Sequence, residues 1–471
     1  MDYTLAIDQG THASRALVFD GHGQTVAESH LPVALVRPQP GHAEQDPAQI
    51  LASVTQVVDT ALKALTDTQR RAVSACGIAT QRSTVLAWRH DGTPVSPALS
   101  WQDTRGEARV AALAAHAGSI RRLSGLPLSA HYGASKLHWL KSTCGGYADI
   151  RLGPLAAFLL HNLTEAADCH IDHSNAQRLQ LLDIRQRRWS PQLLDWFDVP
   201  AALLPACRPV QCEHGVLAGH AIPVRAVCGD QNAAWFGEGL ADSDCALVNL
   251  GSGAFILAAQ SDPDVAPELL TSIATSRDGE CLYLAEGTVN GAASALQWLQ
   301  QQHPGSDIAA QLPDWLSQEL SPPVFINSVG GLGSPWWEHR LPPAFIPDGR
   351  QHSLAALAVA VAESILFLLQ ANLTLMRRMR PLARLRVSGG LSNIAPLCQK
   401  LANLTGLPVT RTTHREASAR GVAWLAAGQP AHWLAADEAQ LFQPQPDSGL
   451  SARYRRFIEH LQQRLDTCTH E

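Results

Sequence analysis

The chain has 471 residues, 46% of them hydrophobic and 17% charged, with a formal net charge of −6 and a pI near 6.4. At about 150 residues per domain this length implies two or three domains, and the apolar content excludes a disordered chain. The slight acidity removes the usual electrostatic case for nucleic acid or an anionic membrane as main partner.

The first predicted element is a strand–turn–strand over residues 4–20, where Leu5–Ile7 and Ala16–Phe19 flank a polar, glycine-containing turn. The start, Met1-Asp2-Tyr3, has no basic segment before an apolar run, so no secretory signal and a cytoplasmic location are expected. Asp46-Pro47 opens a helix with Ile50, Val54, Val57, Val58, Ala61 and Leu65 along one face. Ala75–Ala79 reads as a buried strand ending in Thr80-Gln81-Arg82-Ser83. Val224–Val227 reads as another, running through Cys228-Gly229-Asp230-Gln231 into a helix that reaches Trp235. The short polar segment Gly239–Asp244 is the expected domain boundary.

Roughly half a chain after the first hairpin its shape returns in Cys245–Ala258, again a strand, a Gly/Ser turn and a second strand. This recurrence, with alternating helices and strands, predicts an α/β protein of two duplicated domains on mixed sheets, 1–243 and 244–471, facing one cleft. Past residue 350 a long helix runs from Ser353 to about Met379. It carries Glu363 and Ser364 in its apolar stretch, which suits a buried helix, since a charge at a bilayer centre costs ~2.5–3.5 kcal/mol. Strand Leu385–Val387, the turn Ser388-Gly389-Gly390 and an amphipathic helix with Tyr454, Phe457, Ile458, Leu461 and Leu465 complete the chain. The ten cysteines are scattered without a CxxC pair and read as reduced core residues.

Two hairpin turns rich in backbone N–H groups, with a third Gly-Gly turn, make a nucleotide site without a P-loop. Glycine lets the backbone approach phosphate oxygens, and the hydroxyls of Thr11 and Ser252 add donors. Asp8 stands beside the first turn and suits Mg²⁺, which takes few carboxylates and keeps much of its water. Gly389-Gly390 and the following Leu391-Ser392-Asn393 suit the underside of a purine and ribose. Neither GxxxxGK[ST] nor a clean GxGxxG occurs, which disfavours a Walker ATPase and a Rossmann dehydrogenase.

Asp230 follows a predicted strand at its C-terminal end, where open α/β sheets place ligands, and is the best candidate base. Its bland alternative is a helix N-cap, but Gln231 and Asn232 beside it suit a polyhydroxylated ligand. Cys169-His170-Ile171-Asp172-His173 carries metal-capable groups, yet strand alternation sends neighbours to opposite faces, so a structural role is expected. Arg185–Arg188 and Arg377-Arg378 read as solvated or helix-terminal charges.

With these motifs in order, the chain resembles the FGGY carbohydrate kinases, and within them the glycerol kinases, over nearly its whole length. The resemblance rests on Asp8-Gln-Gly-Thr11 with Ser14-Arg15, Gly41–Pro47, Trp101–Arg105, Gly229–Gln231 through Phe236-Gly237, Gly251-Ser252-Gly253, Gly330–Trp336 and Ser388–Gly390. It implies two actin-like (ribonuclease H-like) domains closing over ATP and a small polyol or sugar, with phosphoryl transfer to a hydroxyl. Asp230 would be the base and Asp8 the Mg²⁺-associated carboxylate. Gly10, Thr11, Arg15, Gly251, Ser252, Gly253, Gly389, Gly390 and Asn393 would line the ATP site. Arg82, Ser83, Trp101, His131, Gln231 and Phe255 would surround the acceptor.

Some positions depart from that pattern. Ser83 stands where glycerol kinases have a glutamate, His131 where a tyrosine is expected, and His12-Ala13 replace small hydroxyl residues. The first two open room for a ketose or a four- to seven-carbon polyol as the alternative acceptor. A catalytically silent sugar sensor is the reading from another class, and retention of Asp8 and Asp230 speaks against it. A homo-oligomer is the default assembly.

Overall fold

The computed structural model describes residues 2–144, 149–165, 168–237, 244–263, 268–318, 320–411, 416–434 and 440–468. The expected boundary, Gly239–Asp244, lies outside the described residues except for Asp244. The first half contains β1 (Tyr3–Gln9), β2 (Ala13–Phe19), β3 (Thr25–Pro32), α1 (Pro47–Lys63), β4 (Val73–Thr80), α2 (His173–Gln177), β5 (Ile222–Gly229) and α3 (Asp230–Ala234). The second contains β6 (Cys245–Leu250), β7 (Ala254–Gln260), β8 (Leu270–Arg277), β9 (Glu280–Val289), α4 (Leu354–Met379), β10 (Arg384–Ser388), β11 (Val409–Arg411), α5 (Ala417–Ala426) and α6 (Ser448–Cys468).

Both halves repeat one topology. In the first sheet the order is β5-β4-β1-β2-β3, with Val216–Leu217 at the outer edge. The hairpin and β3 pair antiparallel, while β4 runs parallel to β1 and β5 parallel to β4. In the second sheet the order β9-β7-β6-β10-β11 follows the same rule, with β8 beyond β9 and Gln440–Phe442 beyond β11. The duplication expected from two similar hairpins is therefore a duplication of whole mixed sheets. The first half carries a further four-stranded sheet, in which Glu44–Gln45, ahead of α1, joins Ala98–Leu99, Val85–Arg89 and Ile150–Pro154, which lie between β4 and β5.

The central strands are apolar on both faces, as strands covered on both sides must be. In β1, Leu5 and Ile7 join the core that holds α1, while Ala6 faces the other way, toward α5. That second face is built of small residues: Ala6, Ala75, Ala79 and Ala226. Small side chains let α5, which comes late in the chain, lie close against β1, β4 and β5 of the first sheet. The cluster around it also holds Leu247, Leu257, Ala274 and Leu284 from the second sheet, so one core joins the two halves.

The second half has its own core around α4, whose N-cap is Ser353, its hydroxyl accepting from the Ala356 N–H. This helix is long and apolar enough to span a bilayer but lies mostly inside the fold. Its Glu363, 1% exposed, is bound by Arg453 at 2.6 and 2.7 Å and by Lys400 at 3.1 Å. The embedded charge is thus paired within the protein. The ten cysteines are all thiols rather than disulfides, each buried or half-buried.

Candidate active site

The first turn closes through the Gly10 N–H, which donates to the Ala13 carbonyl at 3.0 Å. Asp8, opposite Arg15 in the β1–β2 register, is 6% exposed and lies 3.7 Å from that guanidinium. Arg15 in turn lies 3.5 Å from Glu416, just ahead of α5. Burial, and after it the charge of Asp230, pushes the Asp8 carboxyl up to about 7, with Arg15 pulling the other way. The two carboxylates therefore share one field beside the first turn.

Asp230 is the first residue of α3, and Gly229 holds the cap position, so capping is not its role. Its carboxylate accepts the Gln231 N–H at 2.7 Å and stands 3.8 Å from Arg82 Nε, with its side chain 29% exposed. Burial raises its pKa against the pull of Arg82. Arg82, just past β4, donates through Nη1 to Asn232 Oδ1 and to Glu286 Oε1, both at 2.9 Å, and through Nη2 to Gln231 Oε1.

Glu286, on β9 of the second half, is the centre of this network and was not anticipated from sequence. It is 1% exposed, and its Oε1 also accepts from Arg178 Nη2 at 2.5 Å and Ser272 Oγ at 2.6 Å. Burial alone would raise its pKa, but Arg178 and Arg82 together hold it far below the usual carboxylate range. The available sequence signal was a lone glutamate in the apolar run Tyr283-Leu284-Ala285-Glu286. A buried charge of this kind needs a partner, but sequence alone does not say which one.

Next to Arg82, Ser83 is buried at φ 63°, and its hydroxyl donates to the Arg178 carbonyl at 3.4 Å. The His131 ring lies 5.5 Å from Trp101 and edge-on to Tyr132 at 5.1 Å, so three rings form one wall. Burial, then Lys136, Arg178 and Arg82, lowers the His131 pKa to about 3, leaving the ring neutral. Lys136, fully buried and also missed from sequence, donates to the Ser100 and His131 carbonyls at 3.0 and 2.9 Å. Phe255 on β7 is half-buried and opposite Thr288 in register, which puts it diagonal to Glu286 on one sheet face.

The second and third turns form another group. The Gly251 N–H donates to the Gly253 carbonyl at 2.9 Å, and the Ser252 carbonyl accepts from the Ala292 and Ser294 N–H groups, both at 3.0 Å. Gly389, at φ 88°, is packed so that a Cβ would stand 2.6 Å from the Leu250 carbonyl oxygen; only glycine fits there. This packing sets the Gly389-Gly390 turn against the end of β6. Ser252, Gly389, Gly390 and Asn393 are exposed and open to a ligand. The 170–173 segment is structural: Asp172 caps α2 through the Ser174 and Asn175 N–H groups, and His170 Nε2 meets His214 Nδ1 at 3.2 Å. Among the described residues no group of three His, Cys, Asp or Glu is placed to hold a metal.

The N-terminal domain of the FGGY family of carbohydrate kinases matches residues 3–237, and the C-terminal domain of that family matches 246–429. The chain is 33% identical over 454 residues to a glycerol kinase of Polaromonas naphthalenivorans, covering 90% of each chain. It is 34% identical over 465 residues to a glycerol kinase of Aromatoleum aromaticum, covering 93% of this chain and 92% of that one. Its fold matches a glycerol kinase of Plasmodium falciparum with ADP at a TM-score of 0.87, with 22% identity over 98% of both chains. A xylulose kinase from Rhodospirillum rubrum gives a TM-score of 0.89, with 20% identity over 100% of both. The expected pair of actin-like domains is borne out by these folds. With both domains matched in order and relatives a third identical along most of its length, the chain belongs to the FGGY family of carbohydrate kinases, as a glycerol kinase-like phosphotransferase with an alcohol acceptor.

Proposed function

We propose that this kinase moves the γ-phosphoryl group of ATP to an acceptor hydroxyl, with Asp230 as general base and Arg82, Gln231, Trp101 and His131 around the acceptor. The observation that carries this reading is the place of Asp230: it shares the field of Asp8 at the phosphate turn and stands 3.8 Å from Arg82. A base there takes the proton of a hydroxyl that attacks the terminal phosphorus. Asp8 fits Mg²⁺, because a carboxylate raised by burial and then by a second carboxylate is a site that a hard cation relieves. Asp8 would hold the ion through water, and the ion would neutralise charge on the phosphates. The turns at Gly10–Thr11, Gly251–Gly253 and Gly389–Gly390 would hold ATP, with Arg15 and Asn393 at its margins.

Glycerol is the first acceptor to test, since the glycerol kinases named above are a third identical to this chain. A ketose or a longer polyol is the second, favoured by Ser83, whose hydroxyl is turned to a backbone carbonyl. The test is ADP release across glycerol, longer polyols and ketoses, run with the native chain and with Asp230→Asn. The native chain should turn over at least one of them. The Asn variant should retain ATP binding and lose about 10²–10⁴-fold in transfer. Undiminished activity of that variant would remove Asp230 as the base, and silence of the native chain on every acceptor would remove the kinase reading.

A further inference from the structure

Trp101 lies in the acceptor wall, yet its indole Nε1–H donates to Thr11 Oγ1 in the phosphate turn at 3.0 Å. A threonine hydroxyl has one proton and two lone pairs. With a lone pair taken by the indole, the Thr11 proton is directed elsewhere, and among the described residues no acceptor takes it. Thr11 is also the sole hydroxyl of the turn, because His12 and Ala13 carry none. The next one, Ser14, is buried against Ser53 Oγ at 2.8 Å.

The frame behind this bond is fixed from both sides. The Trp101 N–H donates to Thr84 Oγ1 at 3.2 Å, and Thr84 donates to Gln81 Oε1 at 2.9 Å. Gln81 Nε2 donates to Gln45 Oε1 at 2.8 Å and to Gln9 Oε1 at 3.1 Å. Gln45 Nε2 closes the circuit by donating to the Thr11 carbonyl at 2.9 Å. Gln9, Gln45 and Gln81 are nearly fully buried, so this circuit is shielded from water. Lys136 holds the Ser100 carbonyl, one residue before Trp101.

Building on the kinase reading above, we propose that Trp101 is a positioning residue that aims the Thr11 hydroxyl proton at the terminal phosphate of ATP. The same indole ring presents its face to the acceptor. The two substrates are thereby registered to each other through one side chain, and an acceptor seated on the ring lies against the group that aligns the phosphate.

The test is a double-mutant cycle with Trp101→Phe, which keeps an aromatic wall but removes the N–H donor, and Thr11→Val, which removes the hydroxyl. Thr11→Val should lower kcat about 10–100-fold, the range for losing one hydrogen bond to a charged group. Trp101→Phe should lower kcat about tenfold while the acceptor KM changes less than about threefold. In the Thr11→Val background Trp101→Phe should add nothing, and Thr11→Ser, which restores a hydroxyl, should recover most of the rate lost in Thr11→Val. Independent of turnover, the Trp101 indole ¹H–¹⁵N resonance should move in Thr11→Val and hold in Thr11→Ser. Multiplying effects in the cycle, or an indole resonance blind to Thr11→Val, would overturn the proposal. A native chain inactive on every acceptor would instead count against the kinase reading, and the resonance would still report on the Trp101–Thr11 bond.

Discussion

Two carboxylates carry the sharpest consequences at the scale of single residues. Asp8 is raised to about 7, so it is largely ionised at pH 8 and largely protonated at pH 6. If Asp8 holds the ion as proposed, a proton and Mg²⁺ compete for it, and the Mg²⁺ concentration for half-maximal activity should rise about fivefold from pH 7 to 6, but little from pH 8 to 9. Titrating Mg²⁺ at saturating ATP across that range checks this; a flat requirement would separate Asp8 from the metal. Glu286 makes the opposite case, because it stays ionised between Arg82 and Arg178. Glu286→Gln should leave Arg178 buried without its carboxylate partner and Arg82 facing only Asp230, and cost about 3–5 kcal/mol in urea unfolding. Loss below about 1 kcal/mol would show the arginines paired elsewhere. Asp8 and Asp230 were legible because each follows an apolar strand into a polar turn. Glu286 and Arg178 were not, because what marks them is each other, and they lie 108 positions apart.

At the scale of elements, local chemistry was read well from sequence. Ser353 caps α4 and Asp46 caps α1, where its carboxylate accepts the Ala48 N–H at 2.9 Å. The motif around Asp46 gains a reason too: Glu44 binds Arg105 at 2.6 Å and Gln45 holds the Thr11 carbonyl. What periodicity did not show is where α5 goes. It crosses α3 so closely that a Cβ on Gly421 would stand 1.9 Å from the Ala233 carbonyl oxygen. Gly421→Ala must push apart two helices, one of which begins with Asp230. Overpacking of this kind costs about 1–3 kcal/mol, so both stability and kcat should fall together. Native activity in a merely less stable variant would show that the crossing does not set the position of Asp230.

At the scale of the whole molecule, the two halves share a core and a band of cross-half hydrogen bonds. Gln177 on α2 accepts the Ile273 N–H at 3.0 Å, His173 Nδ1 meets Ser276 Oγ at 2.9 Å, and Asn232 donates to the Ile273 carbonyl at 3.0 Å. Strand β8 is thereby docked on the first half along its length. Unfolding in denaturant should be one transition, with tryptophan fluorescence and far-UV circular dichroism coincident. Two separated midpoints would mean that the shared core does not couple the halves. The sequence by itself determined the duplicated hairpins, the absence of a P-loop, the family and the candidate base. All of these depend on residues within a few positions of one another, where strand period, turn chemistry and capping act. The tertiary structure alone decided that Glu286 holds Arg82, that α5 returns to the first sheet and that Trp101 reaches Thr11. Those contacts follow from how two sheets and their helices close over one cleft, and no local pattern encodes the partner of a buried charge or of an indole N–H. The slight net acidity read at the start is consistent with this, since the buried arginines Arg82 and Arg178 are gathered at one carboxylate, Glu286.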